Sequence, residues 1–384
     1  INDRNYFQIT GLPNNPVFSL AKILRVKEKE PELYRKISRF VLLSDFIFYA
    51  LGAEDFFCDY SNASLTGLLA VDDFRWSEKI LSLAGLSQHR LPRLVPSGRP
   101  IGKLSPAAAR KTGLKEGTPL VSGGGDQQCS AIGAGAVEPG VVSITLGTAA
   151  VSVSGLDRPL RDPRMRLPCC AHAIPGKWET EGLQNTAGSS VGWLRKITGE
   201  KPELSPERID LIDQSGPGAR GIFFFPYLCG ASAPFWNPEA SGAFFGLKLG
   251  HDQADLYRAV LEGVSFQTRD ILAAMEDLGI GIREIRIAGG NNRFELWDRI
   301  QAALFARPVL IPETNQTTLL GAAILGACGA GIFSSPQDAV GEMVRIRRPV
   351  RVSEEDIESY RRLYRRYRRL RELFIEGNFF RAIN

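Results

Sequence analysis

Three times along this chain an apolar, strand-like run stops at glycine and passes into polar residues. The places are Gly123–Asp126 in "VSGGGDQQCS", Leu146–Thr148 in "ITLGTAAV" and Ala288–Asn292 in "IRIAGGNN". Glycines at a strand end let main-chain N–H groups converge on an anion with no Cβ in the way, and a helix that follows adds the positive end of its dipole. Each stretch alone also reads as a tight strand-to-helix turn. Several anion-friendly turns in one chain suggest a nucleotide held between two lobes. Neither GxxxxGK[ST] nor GxGxxG occurs in a strand-helix setting, so a P-loop enzyme and a dinucleotide-binding oxidoreductase both lose their main signature.

Asp126 closes the first of these turns. An acid after glycines commonly caps a helix. The same carboxylate is also the natural base, because phosphoryl transfer asks a protein mainly for positioning, charge stabilisation and a group that takes the proton of the attacking hydroxyl. Gln127 beside it offers a donor and an acceptor, as a polyol requires, or faces solvent as a plain amide.

With 384 residues, 44% apolar and 23% charged, the chain is long enough for two cores. The β-rich runs Val141–Leu146 and Ala149–Val153 flank a Gly147-Thr148 turn as in a hairpin, so a second domain is expected to open near residue 138, giving domains 1–137 and 138–384. Residues 16–51 read as helical, broken at Pro31, and "SPAAARKTGL" as a short helix with a Ser-Pro start and a Gly end. "LYRAVLEGVSFQTRDILAAMEDL" is a long helix, and "TLLGAAILGACGAGIF" a helix of small residues suited to packing on a sheet. Strands separated by helices on both sides of residue 138 place the chain in the α/β class.

The 47 basic and 42 acidic residues leave +5, too mild to demand a nucleic-acid partner. Six scattered cysteines form no CxxC pair, which argues against a disulfide framework or a zinc site and for a reducing cytoplasm; Cys169 and Cys170 read as packing residues. No apolar run approaches the roughly 20 residues of a membrane span. His89, His172 and His251 show no metal-ligand spacing, and Trp76, Trp193 and Trp297 fit core or groove wall. In "SYRRLYRRYRRLRELF", Tyr360, Leu363, Tyr364, Tyr367, Leu370 and Leu373 recur at helical steps, so the arginines read as the solvated face of an amphipathic helix, ahead of an RNA-binding role.

"SGAFFGLKLGHDQADLYRAVLE" (residues 241–262) resembles the second signature of the FGGY family of carbohydrate kinases, which includes xylulokinase, ribulokinase, gluconokinase and glycerol kinase. The segments "DYSNAS", "GGGDQQCSAIGAG", "LGTAAV", "AGSSVGWLR", "APFWNPEASG", "AGGNNRFELWDRI" and "LGAAILGACGAGIF" follow in the family's order, so the resemblance covers nearly the whole chain. It implies an actin-like ATPase fold of two ribonuclease-H-like domains, with ATP and sugar in the cleft between them. It makes Asp126 the catalytic base and Gln127 a substrate contact. It gives the β- and γ-phosphates to Gly147 and Thr148, a nucleotide-side helix start to Gly188, and the adenosine loop to Gly289, Gly290 and Asn291. ATP with Mg²⁺ and a sugar are the implied partners, with a homodimer possible and no metal ligand assigned in this chain.

Departures qualify the match. Asn291 stands where the family usually has a small residue and Phe294 where it often has serine; Gly230-Ala231-Ser232-Ala233-Pro234 replaces a stretch with an acidic-basic pair. Pro16-Val17-Phe18-Ser19 lacks the tyrosine of glycerol kinases, which favours a ketopentose such as D-xylulose over glycerol; ribulose and gluconate stay open. The family's D-x-G-[ST]-[ST] hairpin does not precede Ile1, so the expectation is a fragment whose first domain lacks its N-terminal part, with a non-catalytic nucleotide- or sugar-binding relic as the rival.

Overall fold

The computed structural model describes residues 1–201, 204–290 and 294–375. Two compact units form: Ile1–Pro139 with Ser154–Glu181 and Gln316–Val344, and Gly140–Val153 with Gly182–Asn315 and Arg345–Asn384. The chain passes from one unit into the other along the strands Ala150–Leu156 and Trp178–Gln184.

The elements that position the site are strands β1 (Val141–Leu146), β2 (Ala150–Leu156), β3 (Cys169–Ala171), β4 (Trp178–Gln184), β5 (Glu284–Ala288), β6 (Val309–Pro312) and β7 (Ile346–Pro349). The helices are α1 (Asp126–Gly133), α2 (Gly188–Thr198), α3 (Gln253–Asp277), α4 (Glu295–Phe305), α5 (Thr317–Gly329) and α6 (Glu354–Ile375).

In the first unit, helices Ser19–Lys29, Pro31–Lys36 and Leu43–Leu51 match the expected break at Pro31, whose ring removes a helical N–H. Residues 37–42 form neither helix nor strand. Only Ile23 of the apolar residues expected to recur over 16–51 is buried; Leu24 and Leu33 are exposed. The short helix Pro106–Thr112 has the expected ends, with the Ser105 hydroxyl accepting the Ala108 N–H and Gly113 at φ +75°. α5 packs on α1 and on the strand Pro119–Val121, not on a broad sheet face. The backbones touch: a Cβ on Gly133 would lie 1.9 Å from the Thr317 carbonyl oxygen, and one on Gly321 would lie 1.8 Å from that of Cys129. The Ser130 and Thr317 hydroxyls hydrogen-bond at 2.8 Å across this seam. β3 pairs antiparallel with the first half of β4, setting Glu179 opposite Cys170.

In the second unit, β1 lies between β2 and β5, with β5 and β6 parallel to it and β7 antiparallel at the edge. The β1–β2 connection is the expected hairpin. α3 runs through the unit with most of its length buried, and Trp297 on α4 donates to the Leu261 carbonyl (3.1 Å) and Ser265 Oγ (3.0 Å). On α6, Tyr360 and Tyr367 are buried and Leu363, Tyr364 and Leu370 half-buried, whereas Leu373 is exposed and falls outside the apolar stripe. Among the described residues no helix is long and apolar enough to cross a membrane.

Candidate active site

The first-unit part of the site begins where the strand Pro119–Val121 runs out. Gly125 occupies the N-cap position of α1 and Asp126 is its first helical residue. Asp126 is therefore not the cap. Its carboxylate is exposed, and among the described residues Oδ1 accepts only the neighbouring Gln127 N–H at 2.8 Å. An acid in the first helical turn also gains from the helix dipole.

The three glycines do different work. A Cβ on Gly124 would sit 2.7 Å from the Ala173 Cβ, and one on Gly125 would sit 2.1 Å from Gln128 Oε1, so packing beneath the turn accounts for both. A Cβ on Gly123 would meet nothing within 4 Å. Packing gives no reason for that glycine; close approach of a ligand does. From below, the Gly125 N–H donates to Ser61 Oγ (2.8 Å), and Ser61 in turn donates to Asp59. Asp59 caps the helix Tyr60–Ser64. Gln127 is half-buried, and its Oε1 is shielded with no hydrogen-bond partner among the described residues.

Beneath α1 lies a polar cluster that the sequence reading missed. Gln128, fully buried, donates through Nε2 to Glu179 on β4. His172 accepts the Ile174 N–H at Nδ1 (2.9 Å), which leaves the hydrogen of the neutral ring at Nε2, 3.9 Å from the second oxygen of Glu179. Burial pushes the His172 pKa down to about 4, so the ring is neutral at pH 7. Burial, reinforced by the charge of Glu181, holds Glu179 well above the usual carboxylate range. Glu181 itself is pushed up to about 7, by burial first and the Asp126 charge second. The readable signal was "WETEGLQ": two acids at i and i+2 share one face of a strand.

The second-unit part gathers around the β1–β2 turn. The Gly147 carbonyl accepts the Gly188 N–H (2.9 Å), and the Thr148 carbonyl accepts the N–H groups of Ala187 (2.9 Å) and Ser189 (3.1 Å) together with the Ser189 hydroxyl (2.8 Å). The turn is thus stitched to the start of α2, whose first turn points its dipole there. Gly289, at φ +115°, follows β5, and a Cβ on it would lie 2.4 Å from the Leu146 carbonyl oxygen at the end of β1. Four of the expected nucleotide residues, Gly147, Thr148, Gly188 and Gly289, therefore converge. A Cβ on Gly290 would meet nothing within 4 Å and one on Gly147 only the Ala149 oxygen at 3.7 Å, so this backbone surface is open to a phosphate-sized group. Asn291 lies outside the described residues. Among the described residues no three His, Cys, Asp or Glu side chains are grouped to hold a metal ion.

Known proteins share this arrangement of parts. The model for the N-terminal domain of the FGGY family of carbohydrate kinases matches residues 1–133, and that for the C-terminal domain matches residues 142–330. A gluconokinase of Bacillus licheniformis is 30% identical over 373 residues, which cover 94% of this chain and 72% of that protein. This chain belongs to the FGGY family of carbohydrate kinases. A xylulose kinase of Bacillus subtilis (strain 168) is also 30% identical, over 92% of this chain and 70% of its own length. The crystal structure of xylulose kinase from Rhodospirillum rubrum superposes with a TM-score of 0.88 at 27% identity, over 99% of this chain and 76% of that one. Membership of the FGGY family makes the protein a sugar kinase of the two-domain actin-like ATPase fold and implies the use of ATP.

Proposed function

We propose that the chain transfers the γ-phosphoryl group of ATP to a hydroxyl of a ketopentose such as D-xylulose. As the hydroxyl oxygen bonds to phosphorus and the bond to ADP breaks, the Asp126 carboxylate takes the hydroxyl proton. Gln127 orients the sugar with one donor and one acceptor. Gly147, Thr148 and the start of α2 at Gly188 hold the β- and γ-phosphates; Gly289, Gly290 and Asn291 form the adenosine loop. Residues 1–137 are proposed as the sugar-binding side and 138–384 as the ATP-binding side, in a cytoplasmic enzyme that forms homodimers. Since the described residues offer no carboxylate cage, Mg²⁺ is proposed to arrive on the nucleotide, as is usual for this ion.

The observation that carries the reading is the exposed Asp126 carboxylate at the first position of α1, behind a glycine with open space in front of it. Sugar-dependent ADP formation by the full chain is the test: Asp126→Asn is expected to cost 10²–10⁴, and retention within about threefold of wild type would refute the assignment. A second substrate reading, gluconate, is favoured by gluconokinases at 30% and 31% identity. A panel of pentuloses, hexuloses, gluconate and glycerol separates the two by relative kcat/KM.

A further inference from the structure

We propose that Gln128, held from below by Glu179, is the positioning residue that aims the Asp126 carboxylate. The proposal rests on Asp126 being the base. Gln128 lies one helical step beyond Gln127, and its side chain, instead of filling an apolar layer, folds back under the turn so far that its Oε1 occupies the place of a Gly125 Cβ. It thereby props the peptide that immediately precedes Asp126. Its Nε2 hydrogen bonds to Glu179 Oε1 on a strand, and strand β4 is itself paired with β3, so the prop stands on sheet rather than loop. The Gly125 N–H, which belongs to the peptide before it, donates to Ser61. The turn is thus met at two points by fully buried side chains, Ser61 through a hydrogen bond and Gln128 through the packing of an Oε1 that has no hydrogen-bond partner among the described residues. An aliphatic side chain at 128 would fill the volume at lower desolvation cost; the amide fixes a direction, which packing alone does not.

Among the described residues no arginine or lysine is bonded to Glu179, and its other oxygen faces the neutral His172 ring at 3.9 Å. What Gln128 needs from it is an acceptor oxygen, not a negative charge. This distinguishes a positioning role from a simple buried ion. An amide at 179 supplies the same acceptor; an alanine does not.

The experiment compares Gln128→Ala, Gln128→Met, Glu179→Ala and Glu179→Gln in the full chain, with kcat and KM for ATP and sugar measured separately and folding followed by circular dichroism melts. Misaiming the base is expected to lower kcat by ten- to a hundredfold in Gln128→Met and Glu179→Ala, to leave KM for ATP within twofold, and to spare Glu179→Gln within threefold. Gln128→Met keeps the volume, so it decides the matter should the alanine variants fail to fold. A folded Gln128→Met with kcat within threefold of wild type overturns the proposal, as does a Glu179→Gln enzyme as slow as Glu179→Ala. Asp126→Asn separates the two levels. If it retains activity, the base assignment fails and this inference with it; if it loses activity while Gln128→Met keeps it, only the positioning role falls.

Discussion

In the second unit the buried acids Glu262 and Asp270 each meet an arginine, as Asp162 meets Arg166 in the first unit, while the acids beneath α1, Glu179 and Glu181, meet none among the described residues. Glu262 accepts from Arg258 Nε (2.8 Å), the Tyr360 hydroxyl (2.8 Å) and the Gly218 N–H (2.9 Å); Asp270 accepts from Arg371 and the Tyr364 hydroxyl (2.7 Å). These bonds fasten the arginine-rich α6 along α3, and they show why Arg258 and Glu262 lie inside the family signature: there they hold the unit together. Among the described residues Glu179 and Glu181 are bonded to no arginine or lysine; burial raises their pKa values, as it raises those of Glu262 and Asp270, but in the latter two an arginine opposes the rise. Desolvated acids are retained without a counter-charge where their orientation or protonation is used, and are neutralised where they only hold elements together.

The largest test of this contrast is Asp126→Asn. Beyond its effect on turnover, it should leave the thermal midpoint at pH 7 unlowered, since the carboxylate is exposed and bonds only its own neighbour. A drop comparable to that of a core mutation would put Asp126 in the fastening class. Next, Arg371→Ala strips Asp270 of its cation and should cost about 3–5 kcal/mol in urea unfolding, with kcat of the folded enzyme unchanged. A loss below about 1 kcal/mol would dissolve the distinction. Gly147→Ala sharpens it on the nucleotide side. The added methyl meets nothing nearer than 3.7 Å, so stability should stay within ~0.5 kcal/mol while KM for ATP rises about tenfold, equivalent to ~1.4 kcal/mol. At Gly289, with φ +115° and the Leu146 carbonyl in the way, alanine should destabilise the fold itself.

The smallest expected effect is on pH dependence. Glu181 titrates near pH 7 when folded and near 4.5 when unfolded, so the folded state holds the extra proton between those values. Its contribution is whole below pH 4.5 and disappears as pH rises through 7. Glu181→Gln should therefore flatten the fall of the thermal midpoint between pH 4.5 and 7.5. An unchanged slope would mean that the acid is solvated.

Much of the second-unit site was legible because it consists of local patterns: a hairpin turn, a glycine-led helix start, a strand running into glycines. The position of Asp126 was legible too, though its place as first helical residue with Gly125 as cap was not, since an acid and a glycine compete for that position with similar preference. The grouping of Gln128, His172 and Glu179 escaped notice because β3 and β4 bring together residues up to 51 apart in sequence, and no local periodicity encodes that pairing. The small residues of α5 were read for a sheet and found a helix, because glycine at 133 and 321 lets two helical backbones touch. Residues 37–42 read as helix from their apolar spacing but form neither helix nor strand, and the apolar Leu373 lies on the solvated side of α6.

That backbone seam between α1 and α5 has a consequence for how the protein is made. The helix carrying Asp126 is braced by a segment that leaves the ribosome almost two hundred residues later, so the apolar cluster of Cys129, Ile132 and Ala173 cannot close until residues 316–344 have been translated. At about 5–20 residues per second, the nascent chain waits many seconds with that face of α1 uncovered. It is there that a holdase chaperone would bind, and there that a ribosome stalled before residue 316 would leave an aggregation-prone product.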